Sequence, residues 1–155
     1  METHRGAIQR FTLPADLVRT LRRLSQQEGV SLYMTLLAGF VALLHRYTGQ
    51  QDITVGSTTA GRKRAEVEPL LGCFINPLAL RIDLSGNPIF RELLSRVRGV
   101  VLDALAHEDV PFPYVVRELR HRPDPSRNPL FQVILSQQPQ MPSIASGWDL
   151  VTGEI

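Results

Sequence analysis

The residues best suited to acid–base chemistry are His107-Glu108-Asp109, a dense polar stretch directly before Val110-Pro111-Phe112. A histidine at this place has two interpretations. It can belong to a functional site, or it can lie near the C-terminus of a helix, where the helix dipole favours a cation. The sequence contains neither H-E-x-x-H nor G-x-S-x-G, and none of its four histidines lies one helical turn from another. We therefore expect no metal site and no serine-hydrolase site.

Asn76 is the second candidate for a functional side chain. It alternates with Phe74, Leu78 and Leu80 on what should be a buried face of a strand. A buried amide without a hydrogen-bond partner costs roughly 1 to 3 kcal/mol. Either a local backbone bulge at Pro77 or a bound ligand must therefore satisfy this side chain.

A glycine-rich segment, residues 56–63, follows a predicted strand and at first resembles a phosphate-binding loop. The Walker pattern requires lysine directly after its second glycine, and then serine or threonine. Arg62 and Lys63 occupy those positions instead, and the next residues lead to Pro69 without a helix whose N-terminus could bind an anion. We expect no nucleotide site here.

The composition is that of a single globular domain, with 155 residues, 43% hydrophobic and 21% charged, and a net charge of +2. The basic residues are interspersed with acidic ones, which argues against nucleic-acid binding. A single cysteine, Cys73, excludes a disulfide framework and a zinc site built from several cysteines. No apolar run reaches the roughly 18 residues of a membrane span, and residues 1–10 lack the apolar segment of a signal peptide. We expect a soluble, cytoplasmic protein that binds neither nucleic acid nor membrane.

The pattern of apolar residues predicts helices packed on a mixed sheet, which is an α/β fold. Pro14 begins a first helix, and Ser31 can cap a second, buried helix that ends at Gly49. A third helix runs from Asn87-Pro88 to about His107, and a short fourth helix reaches Arg120. Strands are predicted at 52–58, 73–82 and 130–137. Three strands make a narrow sheet, so either strands are missing at the two ends or the chain is part of a larger fold.

Four stretches, in this order and at these spacings, closely resemble the later core motifs of condensation domains from nonribosomal peptide synthetases. They are YTGQQDITVGSTTAGR (47–62), LGCFINPLALR (71–81), HEDVPFPYVV (107–116) and DPSRNPLFQV (124–133). The second is similar to the family's I-G-x-F-V-N-T strand, the third to its H-Q-D-x-P-F pattern and the fourth to R-D-x-S-R-N-P-L. The resemblance covers residues 11–137.

This resemblance implies a fold like that of chloramphenicol acetyltransferase, in which two similar lobes flank a tunnel. Two carrier proteins deliver substrates tethered to phosphopantetheine, and the amine of the acceptor aminoacyl thioester attacks the donor thioester to form a peptide bond. The family's catalytic H-H-x-x-x-D-G motif lies on the N-terminal lobe, and this chain has no adjacent pair of histidines. The resemblance therefore implies that residues 1–155 are a C-terminal, acceptor-side lobe that is inactive alone, with 138–155 as a truncated or poorly ordered tail.

The implied partners are the N-terminal lobe of the same domain, the donor and acceptor peptidyl carrier proteins, and the adjacent adenylation domain. The lobe itself is expected to bind no cofactor, because phosphopantetheine arrives on the carrier proteins. The implied context is the biosynthesis of antibiotics and other secondary metabolites. Two other interpretations stay open: a non-catalytic module of the same fold that binds a carrier protein or partner lobe, and a lobe of another CoA- or carrier-dependent acyltransferase.

Residue-by-residue transfer of the motifs places no catalytic residue in this chain. Asn76, His107 and Asp109 take positions near the substrate tunnel, and we expect the Asn76 amide to bond the backbone of a neighbouring segment or the pantetheine arm. The motif residues expected to be structural are Arg62, Asp124, Ser126, Arg127 and Asn128. Arginine can hold loops through bidentate ion pairs. Two departures from the family pattern, Pro77 for the threonine of F-V-N-T and Pro123 for the first arginine of R-D-x-S-R-N-P-L, concern the substrate subtype.

Overall fold

The computed structural model describes residues 6–62, 65–67, 69–119 and 127–138. Its elements, in chain order, are the helices α1 (Ala15–Gln27) and α2 (Leu32–Thr48), the strands β1 (Asp52–Thr59) and β2 (Asn76–Asp83), and the helices α3 (Phe90–Ala106) and α4 (Phe112–Glu118). A single 3-10 turn, Ala65–Val67, lies between the described strands. The predicted α/β fold class is confirmed. Of the tail predicted at 138–155, only Gln138 is described.

The ends of helix α2 lie where the sequence predicts them. The Ser31 Oγ accepts a hydrogen bond from the Met34 amide at 3.2 Å, and Gly49 ends the helix in a left-handed conformation. Because apolar residues cover most of its circumference, α2 lies at the centre of the fold. Its fully buried residues are Leu37, Ala38 and Val41.

Helix α1 packs on α2 through an apolar face and one buried polar contact. The hydroxyl groups of Ser25 and Thr35 lie 2.7 Å apart and form a hydrogen bond between the two helices. Pro14 is the N-cap of α1 and stands one position before the first helical residue, so the predicted start was one residue early. Within the described residues no single helix is long and apolar enough to cross a membrane; α1 and α2 meet that test only as a pair, bent by 104°.

Strands β1 and β2 pair antiparallel in a register that puts apolar partners together on one face. Ile53 pairs with Ile82 and Val55 with Leu80, whereas Thr59 pairs with Asn76 at the end of the ladder. The second strand therefore starts at residue 76 rather than at the predicted residue 73. Residues 73–75 belong to a loop that is held by side-chain contacts described below.

The predicted third strand, 130–137, is reduced to one contact in the described residues. Ile134 forms a single parallel bridge with Gly56, supported by hydrogen bonds from the Gly56 amide to the Val133 carbonyl (2.8 Å) and from the Leu135 amide to the Gly56 carbonyl (3.0 Å). A parallel strand needs several such hydrogen bonds in succession, so the described residues of this segment do not form a strand. The segment nevertheless lies beside β1 at this point.

Helix α3 covers the same face of the sheet as α2. It begins at Phe90 rather than at Pro88, because Ile89 is the N-cap and its amide donates to the Glu92 carboxylate at 3.0 Å. One apolar core joins α2, the sheet and α3. The most deeply buried large side chains of this core are Leu37, Val41, Val55, Leu80, Ile82, Leu94 and Val97.

Candidate functional site

The side chain of Asn76 fastens the start of β2 to the turn between α3 and α4. Its amide nitrogen donates to the carbonyl oxygens of Glu108 (2.9 Å) and Val110 (2.8 Å), and its Oδ1 accepts from the Phe112 amide (3.0 Å). Both amide protons are thus used, and Pro77 keeps its place in the strand register opposite Thr58. The half-buried amide is therefore satisfied by the backbone of a neighbouring segment, without a bulge.

The turn held by Asn76 carries the other two residues predicted near the tunnel. His107 is the C-cap of α3, and its Nδ1 lies 2.8 Å from the Asp103 carbonyl oxygen. Asp109 is exposed on the same turn, whereas the intervening Glu108 is only 7% exposed. The structure therefore brings Asn76, His107 and Asp109 together at one end of the sheet, and the ring of His107 is hydrogen-bonded to the last turn of α3.

A contact between an aromatic ring and a glycine links the first and fourth motifs. Phe131, 3% exposed, lies directly over Gly56, where a Cβ atom would come within 2.5 Å of its ring carbons. The ring centroid of Phe131 is 5.5 Å from that of Phe112, the residue whose amide Asn76 binds. The four motifs therefore contact one another through one residue of each: Gly56, Asn76, Phe112 and Phe131.

Arg62 braces the loop between β1 and β2. Its guanidinium donates to three carbonyl oxygens and stacks over the Phe74 ring, 4.5 Å from the ring centroid. The accepting carbonyl groups are those of Val67 (2.7 Å), Leu70 (2.8 Å) and Gly72 (3.0 Å). The preceding Gly61 has φ of +63°, and a Cβ atom there would collide with the Phe74 carbonyl oxygen. Arg62 thus holds the loop, as predicted, through hydrogen bonds to carbonyl oxygens. The planar guanidinium group can donate several such bonds at once.

Of the remaining predicted structural residues, Arg127 and Asn128 are exposed, and Asp124 and Ser126 lie outside the described residues. The Asn128 carbonyl accepts from the Gln132 side chain at 2.7 Å, which closes a turn before Phe131 packs on the sheet. Arg127 and Asn128 also line a cavity of about 490 Å³ between α2 and residues 129–133.

A partly buried pair of hydroxyl groups beside this site was not anticipated. The Tyr33 hydroxyl donates to the Ser57 Oγ at 2.8 Å and faces the Leu135 carbonyl at 3.4 Å. Burial raises the pKa of Tyr33, against the lowering effect of the Ser57 hydrogen bond, so the phenol stays a donor at neutral pH.

Sequence reasoning also missed Gly56, Phe112 and Phe131 as contact residues. For Gly56 a signal existed, because a glycine inside a β-branched strand indicates close approach of another group. Within the described residues no group of three or more histidine, cysteine, aspartate or glutamate side chains could hold a metal ion. The hydrogen bonds of Asn76 and Arg62 thus hold two loops in position.

Comparison with known proteins finds a matching family model and several similar sequences. The profile of the family described as "Condensation domain" matches residues 2–152. One of the linear gramicidin synthase proteins from Brevibacillus parabrevis is 54% identical over 138 residues, which cover 89% of this chain but only 3% of that protein. Chondramide synthase cmdD from Chondromyces crocatus is 50% identical over 138 residues, 89% of this chain and 4% of that protein.

Two solved structures are also similar. A four-domain nonribosomal peptide synthetase, holo-AB3403 bound to AMP and glycine, superposes with a TM-score of 0.80 and 25% identity over 83% of this chain and 10% of that one. The X-domain from teicoplanin biosynthesis, in its complex with OxyB, superposes with a TM-score of 0.70 and 32% identity over 74% of this chain and 25% of that one.

Proposed function

The chain belongs to the condensation-domain family, whose general function is peptide-bond formation, and we propose that it forms the C-terminal, acceptor-side lobe of such a domain. The domain joins a carrier-bound donor acyl or peptidyl thioester to a carrier-bound acceptor aminoacyl thioester. The observation that carries the proposal is the set of three hydrogen bonds from Asn76, which tie the second family motif to the third. The small share of each relative that the chain covers agrees with a lobe of a larger assembly.

In this proposal the lobe positions substrates and supplies no catalytic group. The described residues hold the motif-bearing loops through Asn76 and Arg62, and the sequence lacks the adjacent histidines that the family uses. General acid–base catalysis contributes about 10²–10⁴-fold in rate, and the positioning of two substrates contributes more. The chain alone, mixed with loaded donor and acceptor carrier proteins, is therefore expected to give only background dipeptide.

The proposed partners are an N-terminal lobe, the donor and acceptor carrier proteins and an adenylation domain, with phosphopantetheine supplied by the carriers. Exposed apolar side chains on the loop braced by Arg62 support a partner lobe. Leu71 is fully exposed, and Leu70 and Ile75 are exposed by 50% and 62%. Several exposed apolar side chains on one loop are what a surface covered by another protein would supply.

The test uses Asn76→Ala in an intact condensation domain that contains this chain. We expect condensation to fall by about 10- to 100-fold, because the variant loses all three hydrogen bonds that fix the turn carrying His107, and leaving such groups unpaired costs roughly 1 to 3 kcal/mol. Asn76→Asp keeps the acceptor for the Phe112 amide but aims a carboxylate at two carbonyl oxygens, so its loss should be at least as large.

Turnover per folded molecule and the melting temperature are measured on the same variants. A positioning role predicts that turnover falls more than stability does. A clear drop in melting temperature with unchanged turnover would show that Asn76 only holds the fold, and would contradict the proposal.

A non-catalytic module is the second candidate function, because the similar X-domain is found in a complex with OxyB. An H-H-x-x-x-D-G sequence on the same polypeptide upstream of residue 1 would favour the enzyme. If that motif is missing and the intact protein binds a partner without forming dipeptide, the binding module is correct.

A further inference from the structure

A cavity of about 200 Å³ lies on the core side of the sheet, between the start of α2 and the last turns of α3. Its walls include Tyr33, Ser57, Leu78, Leu80, Val101 and Leu105. The deep walls are nearly inaccessible to solvent, because Leu80 and Val101 are buried, whereas Leu105 at the mouth is 40% exposed. The cavity is thus a recess that opens to one side.

The recess adjoins the candidate functional site. Leu78 follows Asn76 by two residues on the same face of β2, so the side chains are neighbours along the strand. Leu105 precedes His107 by two residues at the end of α3. A group held in the recess would therefore lie beside the turn that Asn76 fixes.

The chemistry of the walls favours an apolar group that carries one acceptor oxygen. Four of the eight lining residues are aliphatic, and the other four carry polar groups: Tyr33, Ser57, Thr58 and Gln137. The Ser57 Oγ accepts from Tyr33, which leaves the Ser57 proton available to a further acceptor. An aminoacyl thioester offers both features, an apolar side chain and a carbonyl oxygen.

The size of the recess selects one side chain rather than a whole substrate. A cavity of about 150 Å³ holds benzene, whereas pockets for complete small ligands occupy about 300 to 1,000 Å³. At about 200 Å³ this recess fits a single leucine-sized or phenyl group.

We infer that this recess binds the apolar side chain of an aminoacyl group during condensation, and so contributes to substrate selection. The inference rests on the proposed function. The aminoacyl group can belong to the acceptor or to the donor thioester, since the chemistry of the walls is the same for both.

The test blocks the mouth of the recess in an intact condensation domain that contains this chain. Leu105→Trp places a larger group at the mouth, on a position exposed enough to accept it. Leu102→Trp is the matched control, because Leu102 is on the same helix, is 45% exposed and does not line the recess. Dipeptide formation is measured with leucine or alanine on the acceptor, and separately with leucine or alanine on the donor.

We expect Leu105→Trp to lower the rate for leucine on one of the two carriers by about tenfold or more, the usual range for a few methylene groups in an apolar pocket. The alanine substrate should change less than about twofold, and Leu102→Trp should change neither. If the rate falls with leucine on the acceptor, the recess binds the acceptor side chain; if it falls with leucine on the donor, the recess binds the donor side chain. Equal losses for leucine and alanine, or no loss for either, would overturn the inference while the proposed function stands.

Toluene binding to the 155-residue chain gives a readout that does not depend on condensation. Toluene should shift the methyl resonances of Leu78 and Val101, and Leu105→Trp should abolish the shifts while Leu102→Trp preserves them. Absence of any shift would overturn the inference, as would shifts that appear only after residues 139–155 are removed, since the chain's own tail would then be the occupant. If the intact domain forms no dipeptide although toluene binds, the proposed function fails and the recess remains an apolar site.

Discussion

The core between α2, the sheet and α3 is held together differently from the end of the molecule where the motifs meet. In the core, large side chains such as Leu37, Leu80 and Val97 are at most 1% exposed and contact other apolar side chains. At the motif end, Asn76 and Arg62 bind backbone carbonyl oxygens of segments that carry little buried apolar surface. The first region relies on non-directional burial, the second on directional bonds. Mutations in the core should therefore lower the stability of the whole chain, whereas mutations at the motif end should mainly loosen loops.

The largest effect is expected for Leu37→Ala in the centre of α2. Leu37 is fully buried, and removing a buried leucine side chain costs about 2 to 5 kcal/mol through lost transfer energy and a residual cavity. Denaturant unfolding of the chain measures this loss. The matched control is Leu43→Ala on the same helix, whose side chain is 49% exposed and which should cost far less. Equal losses for the two variants would contradict the position of the core.

The next largest effect is expected for Gly56→Ala, where the two regions meet. The new methyl group would lie 2.5 Å from the ring of Phe131, so the free energy of unfolding should fall by about 1 to 3 kcal/mol. Gly39→Ala is the control, since nothing outside its own stretch of helix lies within 4 Å of the added methyl group and a helical alanine is about 1 kcal/mol better than glycine.

A double variant identifies the cause of the Gly56 effect. Phe131→Leu removes the ring that the methyl group meets, so Gly56→Ala should cost much less in that background. If the cost of Gly56→Ala is the same with and without the ring, the contact between Phe131 and Gly56 is not what excludes a side chain.

Arg62→Lys should have a smaller and local effect. Lysine has no planar fork, so it cannot bind the carbonyl groups of Val67, Leu70 and Gly72 together while stacking on Phe74. Hydrogen exchange should become faster at the Leu70 amide, which bonds to Val67, with little change in overall stability. Arg22→Lys, on the exposed surface of α1, should leave that exchange unchanged. Unaltered exchange at Leu70 in the Arg62 variant would show that the loop does not depend on the arginine.

The same contrast explains which features the sequence could predict. Helix α2, its serine cap and the apolar face of the strands follow from local spacing, because the residues concerned are close in the chain. The partners of Asn76 lie 32 to 36 residues away, so no periodicity indicates them. Sequence reasoning could state that this amide needs partners, but the partners themselves required the fold.

Two errors at the borders of elements have similar physical causes. The strand predicted from Cys73 begins at Asn76, because the Arg62 brace and the Phe74 ring hold the preceding residues as a loop. The strand predicted at 130–137 makes only one bridge to Gly56 in the described residues. In both places the predicted strand is longer than the observed pairing, because extended backbone becomes a strand only where a neighbouring strand supplies its hydrogen bonds.

The smallest effect is expected from the exposed ion pair at the far end of the sheet, and it separates electrostatics from burial. Arg81 binds both carboxylate oxygens of Asp52 at 2.6 to 3.0 Å, and this hydrogen bonding lowers the pKa of Asp52. Because the carboxyl pKa is lower in the folded chain, the stabilisation is present above the unfolded pKa of about 3.9 and is lost as the pH falls through the folded value. Asp52→Asn should therefore lower the melting temperature by about 1 to 2 °C at pH 7, and this difference should disappear in acid.

The loss caused by Leu37→Ala should persist at both pH values, because no titratable group is removed. A difference between wild type and Asp52→Asn that stayed constant down to about pH 3, below the unfolded carboxyl pKa, would show that Arg81 does not act through the charge of Asp52.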